Sequence, residues 1–169
     1  MATLYGRASI SSLEKAAADA KAKDAAEFYL GQAYALFGPL EQSSRVTASF
    51  IAASQMPQQF KDRLRVWQGA NLYASNRKTE AMAVWEELVR KQPEDPDLMA
   101  EILLVCSRMK AECPEALQKA VAMLEARENR KLSLLNFAIG KVYLGKLDPV
   151  KALLYLEAGR DKGNKNKIE

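Results

Sequence analysis

The two thiols, Cys106 and Cys113, are the most reactive groups in a 169-residue chain that contains no histidine. The lack of histidine removes the commonest general base, the commonest metal ligand and every histidine-based triad. Two thiols alone do not complete a structural zinc site. They are also too sparse for a disulfide-built secreted domain. Both are therefore expected to be reduced, with Cys106 serving as core. The carboxylate pairs Glu86-Glu87 and Glu94-Asp95 are adjacent in sequence. Neighbours on a helix diverge by about 100°, so Glu86 and Glu87 form no acid/base couple. Neither a glycine-rich phosphate loop nor a nucleophile elbow is present. The expectation is a chain with no catalytic residues, no metal and no cofactor. The basic cluster Arg160, Lys162, Lys165 and Lys167 is interrupted by Asp161 and closed by Glu169. It reads as a solvated tail. The net charge of +4 suits solubility and does not call for nucleic acid.

With no chemistry to position, the chain's apolar content must serve a fold or a partner. Apolar residues make up 49% of the sequence, enough for one domain with a sizeable core. No apolar run reaches about 18 residues, so no membrane span is expected. Met1 to Leu13 contains Arg7, three serines and no acid. That composition is shared with organelle transit segments, and equally with a short polar lead, residues 1–10, into a capped helix. Ser11-Ser12-Leu13-Glu14 reads as a capping box opening a helix over Lys15 to Lys23. This helix is either solvated or a cap on the helices after it.

Eight further helices are expected. Asp24 opens one that Gly38-Pro39 stops. Others run over about 40–55, 59–75, 79–91, 96–110, 115–126, 132–144 and 149–159. Asp95-Pro96 and Asp148-Pro149 are start signals, a cap residue followed by proline in the first turn. Asn76 is suited to the left-handed turn between helices. No segment alternates as a half-buried strand would. Residues 161–169 are expected to fray into a flexible basic tail.

A small residue, a large one three places on and an alanine twelve places on recur along these helices. Gly69, Leu72 and Ala81 set the pattern, and Gly140, Tyr143 and Ala152 repeat it. Gly31 and Tyr34 open another copy, and Leu104 with Ala116 marks a weaker one. A period near 35 is the size of one helix-turn-helix unit. With Trp85, Leu88 and Pro93 added, this pattern resembles the tetratricopeptide repeat family over roughly residues 24–160. The resemblance implies an all-α, α-α superhelix of about four hairpins plus an N-terminal helix. It forms one repeat domain, 11–160, with units at about 24–57, 59–93, 96–127 and 132–160. Each hairpin has two apolar faces and must stack to bury them. Arg65 departs from the family pattern, with Leu64 able to fill its place. Leu104 replaces the usual small residue, and the Gly38 to Gln42 loop is longer than usual. No polar capping helix follows the last unit, which leaves Leu153, Leu154 and Tyr155 partly bare.

The resemblance also implies a concave groove that binds protein segments. By register it is lined by Phe28, Gln32, Leu36, Val66, Ala70, Tyr73, Glu101, Val105, Arg108, Met109, Leu134, Phe137 and Lys141. Phe28, Val66, Glu101 and Phe137 stand where some members of the family clamp a carboxylate with lysines and asparagines. An amphipathic helix or apolar strand is the better occupant. The competing reading is that residues 8–23 or the tail fill the groove, or that several of these residues are core. Trp85 reads as core, and Trp67 as either core or interface anchor. The leading functional expectation is a non-catalytic interaction module, an adaptor or accessory subunit in a multi-subunit protein complex. It would be intracellular, in the cytoplasm or mitochondrial matrix, and not secreted. Alternatives are a helical-repeat accessory subunit such as that of euglenozoan ATP synthases, a pentatricopeptide-like RNA binder and a secretion chaperone.

Overall fold

A computed structural model describes residues 2–126 and 132–160, with residues 2–7 described by backbone alone. Among these residues there are nine α-helices and no strands. The chain divides into two compact units after Trp85. The 161–169 tail lies outside the described residues.

The first unit holds α1 (Ala2–Ala17), α2 (Lys23–Phe37), α3 (Leu40–Ala53), α4 (Gln58–Ala74) and the start of α5 (Lys78–Lys91). α1 differs from expectation at both ends. It begins at Ala2, so Ser11 and Glu14 lie inside the helix and form no capping box. The hydroxyl of Ser12 instead donates back to the Ala8 carbonyl at 3.1 Å, as mid-helix serines do. The helix ends at Ala17, and not at Lys23, because the Asp19 carboxylate accepts from the Lys21 amide at 3.0 Å in a competing local turn. Ile10, Leu13 and Ala17 pack on Leu30, Tyr34 and Val46, so α1 covers one face of the α2–α3 hairpin. Asp24 caps nothing: its carboxylate accepts from Ser54 Oγ at 2.8 Å and the Gln55 amide at 3.1 Å, tying the start of α2 to the end of α3.

The Tyr34 hydroxyl donates to the Glu14 carboxylate and anchors α1 to α2. Burial first, and then that bond and the carboxylate charge, push the Tyr34 pKa up to about 12. An unfolded tyrosine ionises near pH 10. The folded chain therefore holds this proton more tightly. The stabilisation is complete below about pH 10 and is lost as pH rises towards about 12. The stability gap between wild type and Tyr34→Phe, measured by urea denaturation at stepped pH, should narrow over that interval. A constant gap would contradict the assignment.

Small residues sit where helices cross. A Cβ on Gly31 would lie 2.9 Å from Leu64 Cδ2 and 3.1 Å from Thr47 Oγ1, so α2, α3 and α4 meet there. A Cβ on Gly69 would lie 2.3 Å from Trp85 Nε1, and that indole donates to the Val66 carbonyl at 3.0 Å. Leu64 is fully buried with Phe28 and Phe50, filling the space left by Arg65. Trp67 is half-buried and packs against the same cluster. A buried polar relay threads three helices: Asn71 Nδ2 donates to Ser43 Oγ at 2.9 Å, and Ser43 donates to the Gly31 carbonyl at 3.1 Å.

The second unit contains the end of α5, α6 (Pro96–Met109), α7 (Pro114–Glu125), α8 (Ser133–Gly145) and α9 (Pro149–Gly159). Its core takes Leu98, Met99, Ile102 and Leu103 from α6, Ala116 and Ala120 from α7, and Leu135 and Ile139 from α8. α8 and α9 approach closely at Gly140, where a Cβ would lie 2.7 Å from Leu156 Cγ. Asp95 and Asp148 cap α6 and α9 as expected, accepting from the Leu98 amide at 3.0 Å and the Lys151 amide at 3.1 Å.

Three hairpin turns share one geometry. Asn76, Lys110 and Leu147 are left-handed, with φ of 63°, 55° and 58°. After each, an amide reaches back five residues: Arg77 to Leu72, Ala111 to Cys106 and Asp148 to Tyr143, at 2.8–3.0 Å. This is a Schellman closure repeated three times. The turn corrects the register of the third copy. Gly69 and Gly140 each stand three residues before the accepting carbonyl, and in the third copy that position is Leu103, not Leu104. Leu103 is fully buried and Leu104 only half-buried. The longer loop underlies the shift: α5 and α9 begin two residues after the left-handed residue and α7 begins four after it, while Ala116 stands one place earlier in its helix than Ala81 and Ala152 do in theirs, which leaves a net shift of one. Gly38 closes the first hairpin differently, with extended backbone before Pro39.

The loop after α6 also corrects the expectation of two reduced thiols. Cys106 and Cys113 form a disulfide with Cα atoms 6.4 Å apart. The sequence separation of seven spans a hairpin turn that returns Cys113 beside the end of α6, within bridging range. Cys106 is buried, as expected of core.

Candidate docking surface

α8 begins after Leu132 and buries Leu135, Ala138 and Ile139. At three- and four-residue steps, its opposite side carries Leu134, Phe137, Lys141 and Leu144, all exposed. α9 is apolar on two sides. Ala152 faces α8, with Tyr155 stacked on Tyr143 at 5.7 Å. On the other side Val150 is 78% exposed, Leu153 58% and Leu154 60%. Leu147, in the turn between the helices, is 89% exposed. A cavity of about 220 Å³ opens beside Leu154, walled by Val121, Leu124, Glu125, Asn136, Tyr155 and Ala158. It is roomy enough for one large apolar side chain.

A leucine in the left-handed region is strained by roughly 1–2 kcal/mol through its Cβ. Burial returns nothing at this position, because the side chain is in water. The left-handed backbone belongs to the helix-closing turn that Leu147 shares with Asn76 and Lys110, so the turn and not the leucine side chain serves the fold. Leu147→Gly is therefore expected to raise stability by ~1 kcal/mol in chemical denaturation. A loss of stability would show that Leu147 supports the fold itself.

The electrostatics around this surface are simple. Lys151 pairs with Asp148 at 3.6 Å and lies over the Tyr143 ring at 5.3 Å. Lys146 stands exposed beside Leu147. The surface has an apolar centre and a charged rim.

The residues expected to line a groove divide into three groups. Phe28, Val66, Ala70 and Val105 are buried, which corrects their assignment to a binding surface. Phe28 packs edge-on to Phe60 at 5.3 Å and near Phe50 at 6.0 Å, so it is core. Helices here bury more of their circumference than a two-faced hairpin pattern assigns. Gln32, Leu36, Tyr73, Glu101 and Met109 are half-buried, and Tyr73 stacks near Trp85 at 6.1 Å. Arg108, Leu134, Phe137 and Lys141 are exposed, and the last three share one side of α8. Leu153 and Leu154 are bare as expected, whereas Tyr155 is half-buried. Leu144, Leu147 and Val150 were missed. The signal for Val150 was its spacing of three and four from Leu153 and Leu154, opposite Ala152. Among the described residues, no helix is long and apolar enough to cross a membrane.

No protein-family model matches the chain. A search of the curated proteins finds no match. Among solved structures the chain is similar to one described as "Crystal structure of MamA", at 15% identity and a TM-score of 0.48. That similarity covers 89% of this chain and 84% of the other. A likeness this distant does not specify function.

Proposed function

We propose that this protein is a non-catalytic, tetratricopeptide-like interaction module that docks onto another protein through the α8–α9 surface. The observation that carries the reading is the succession of exposed apolar side chains from the end of α8 through α9: Leu144, Leu147, Val150, Leu153 and Leu154. The occupant is an amphipathic helix. Val150, Leu153 and Leu154 present the spacing of a helical seam, and the cavity beside Leu154 receives a single anchor side chain. An adaptor or accessory subunit of a larger assembly has this need, and the apolar centre distinguishes it from a nucleic-acid binder, whose contacts are charged.

Isolation of the full chain from its native source at low and physiological salt tests the reading. The expected result is a protein partner in fixed stoichiometry, retained across that salt range. Recovery of nucleic acid alone, released by salt, would replace it with an RNA-binding function. Recovery of the chain as a partnerless monomer would refute docking.

A further inference from the structure

The loop that breaks the repeat register holds a chemical site. Cys106 lies in the last turn of α6, and Cys113 is the N-cap residue of α7. Both line an open pocket of about 440 Å³ between that loop and the end of α8. Its apolar walls include Leu103, Leu117 and Val142, and its charged groups are Lys110, Lys146 and Glu112. The two sulfurs are not equivalent. Cys106 is buried, whereas Cys113 is only half-buried and so is the more accessible of the two. Cys113 makes no side-chain capping hydrogen bond at the start of its twelve-residue helix. A thiolate there is favoured by the free amides and the positive end of the helix dipole.

We propose that the Cys106–Cys113 bridge is an exchangeable disulfide, and that the pocket admits a small anionic thiol of the glutathione class. The incoming thiolate attacks Cys113 Sγ. The Cys106–Cys113 bond breaks, its electron pair goes to Cys106 Sγ, and that sulfur takes a proton from water. A mixed disulfide on Cys113 forms, with no net oxidation in this step. A second thiolate then attacks the external sulfur of the mixed disulfide. It releases the small-molecule disulfide and the Cys113 thiolate, so two small thiols are oxidised and the protein gains two electrons. In reverse, reduced Cys113 attacks a small disulfide and Cys106 resolves the product. Lys110 and Lys146 outnumber Glu112 at the mouth and select an anionic partner. The pocket borders the docking surface at Lys146, but its thiol chemistry does not rest on docking and stands if docking fails.

Two variants separate the sulfurs. Reduced Cys106→Ala and Cys113→Ala, each confirmed folded by circular dichroism, are exposed to glutathione disulfide and to the cationic cystamine. Labelling is read by intact mass. Cys113 in the first variant should be modified at least ~10-fold faster than Cys106 in the second, as access and thiolate fraction dictate. Glutathione disulfide should react faster than cystamine, and Lys110→Glu/Lys146→Glu should reverse that order. In wild type, glutathione should open the bridge without unfolding, seen as a gain of two mass units with unchanged circular dichroism. Faster labelling of Cys106, equal rates for the two reagents, or opening only at the rate of global unfolding would each overturn the proposal.

Discussion

Trp85→Ala is expected to destabilise the protein by ~3–5 kcal/mol, the range for removing a buried indole. Trp85 is 1% exposed and is the largest fully buried side chain described. Its ring fills the gap that Gly69 leaves: the nearest indole atom lies 2.3 Å from where a Cβ would be. Alanine would leave a cavity that α4 cannot close without moving its backbone. The Val66 carbonyl would also lose the indole donor at 3.0 Å, and Val66 is fully buried. The converse substitution tests the same contact. Gly69→Ala drives a methyl group into a rigid ring and should cost ~1–3 kcal/mol. Both are measured by urea denaturation followed by circular dichroism. A loss below ~1 kcal/mol for Trp85→Ala would mean that this contact is not central to the first unit.

Leu153→Asp/Leu154→Asp should act the opposite way, leaving stability nearly intact and abolishing binding. Both side chains are more than half exposed, so their removal opens no cavity. Two carboxylates at the centre of a dry interface must be desolvated without partners. Central anchors carry upwards of ~2 kcal/mol each, so affinity should fall at least ~100-fold. Isothermal titration against the isolated partner measures it. Leu134→Asp on α8 is the comparison, since it lies towards the other end of that helix from Leu147. Unchanged affinity for the α9 double variant together with lost affinity for Leu134→Asp would move the interface onto α8.

Helix positions were highly legible in the sequence because local signals set them. Proline at the first turn after Asp95 and Asp148 fixed two helix starts, and Asn76 announced its left-handed turn. The crossings at Gly31, Gly69 and Gly140 were legible for the same reason: only a missing side chain permits that approach. Exposure was less legible. Phe28 and Val66 sit at spacings that suit either a groove or a core, and their burial is decided by Phe50, Phe60 and Trp85 on other helices. The start of α1 was obscured because Ser11-x-x-Glu14 satisfies a capping pattern that Ser12 bypasses by bonding to Ala8. Leu104 was placed in register by counting from Ala116, and the longer Cys106–Cys113 loop made that count fail by one. Lys110 and Leu147 adopt left-handed backbone without any residue preference to reveal it.

Hydrogen–deuterium exchange of the full chain, free and bound to its co-purified partner, tests the docking surface most directly. Amides of α8 and α9, and of the Leu147 turn between them, should gain protection on binding, while α2 and α3 exchange unchanged. Protection confined to α2–α4, with α9 exchanging as in the free protein, would contradict docking through the C-terminal hairpin.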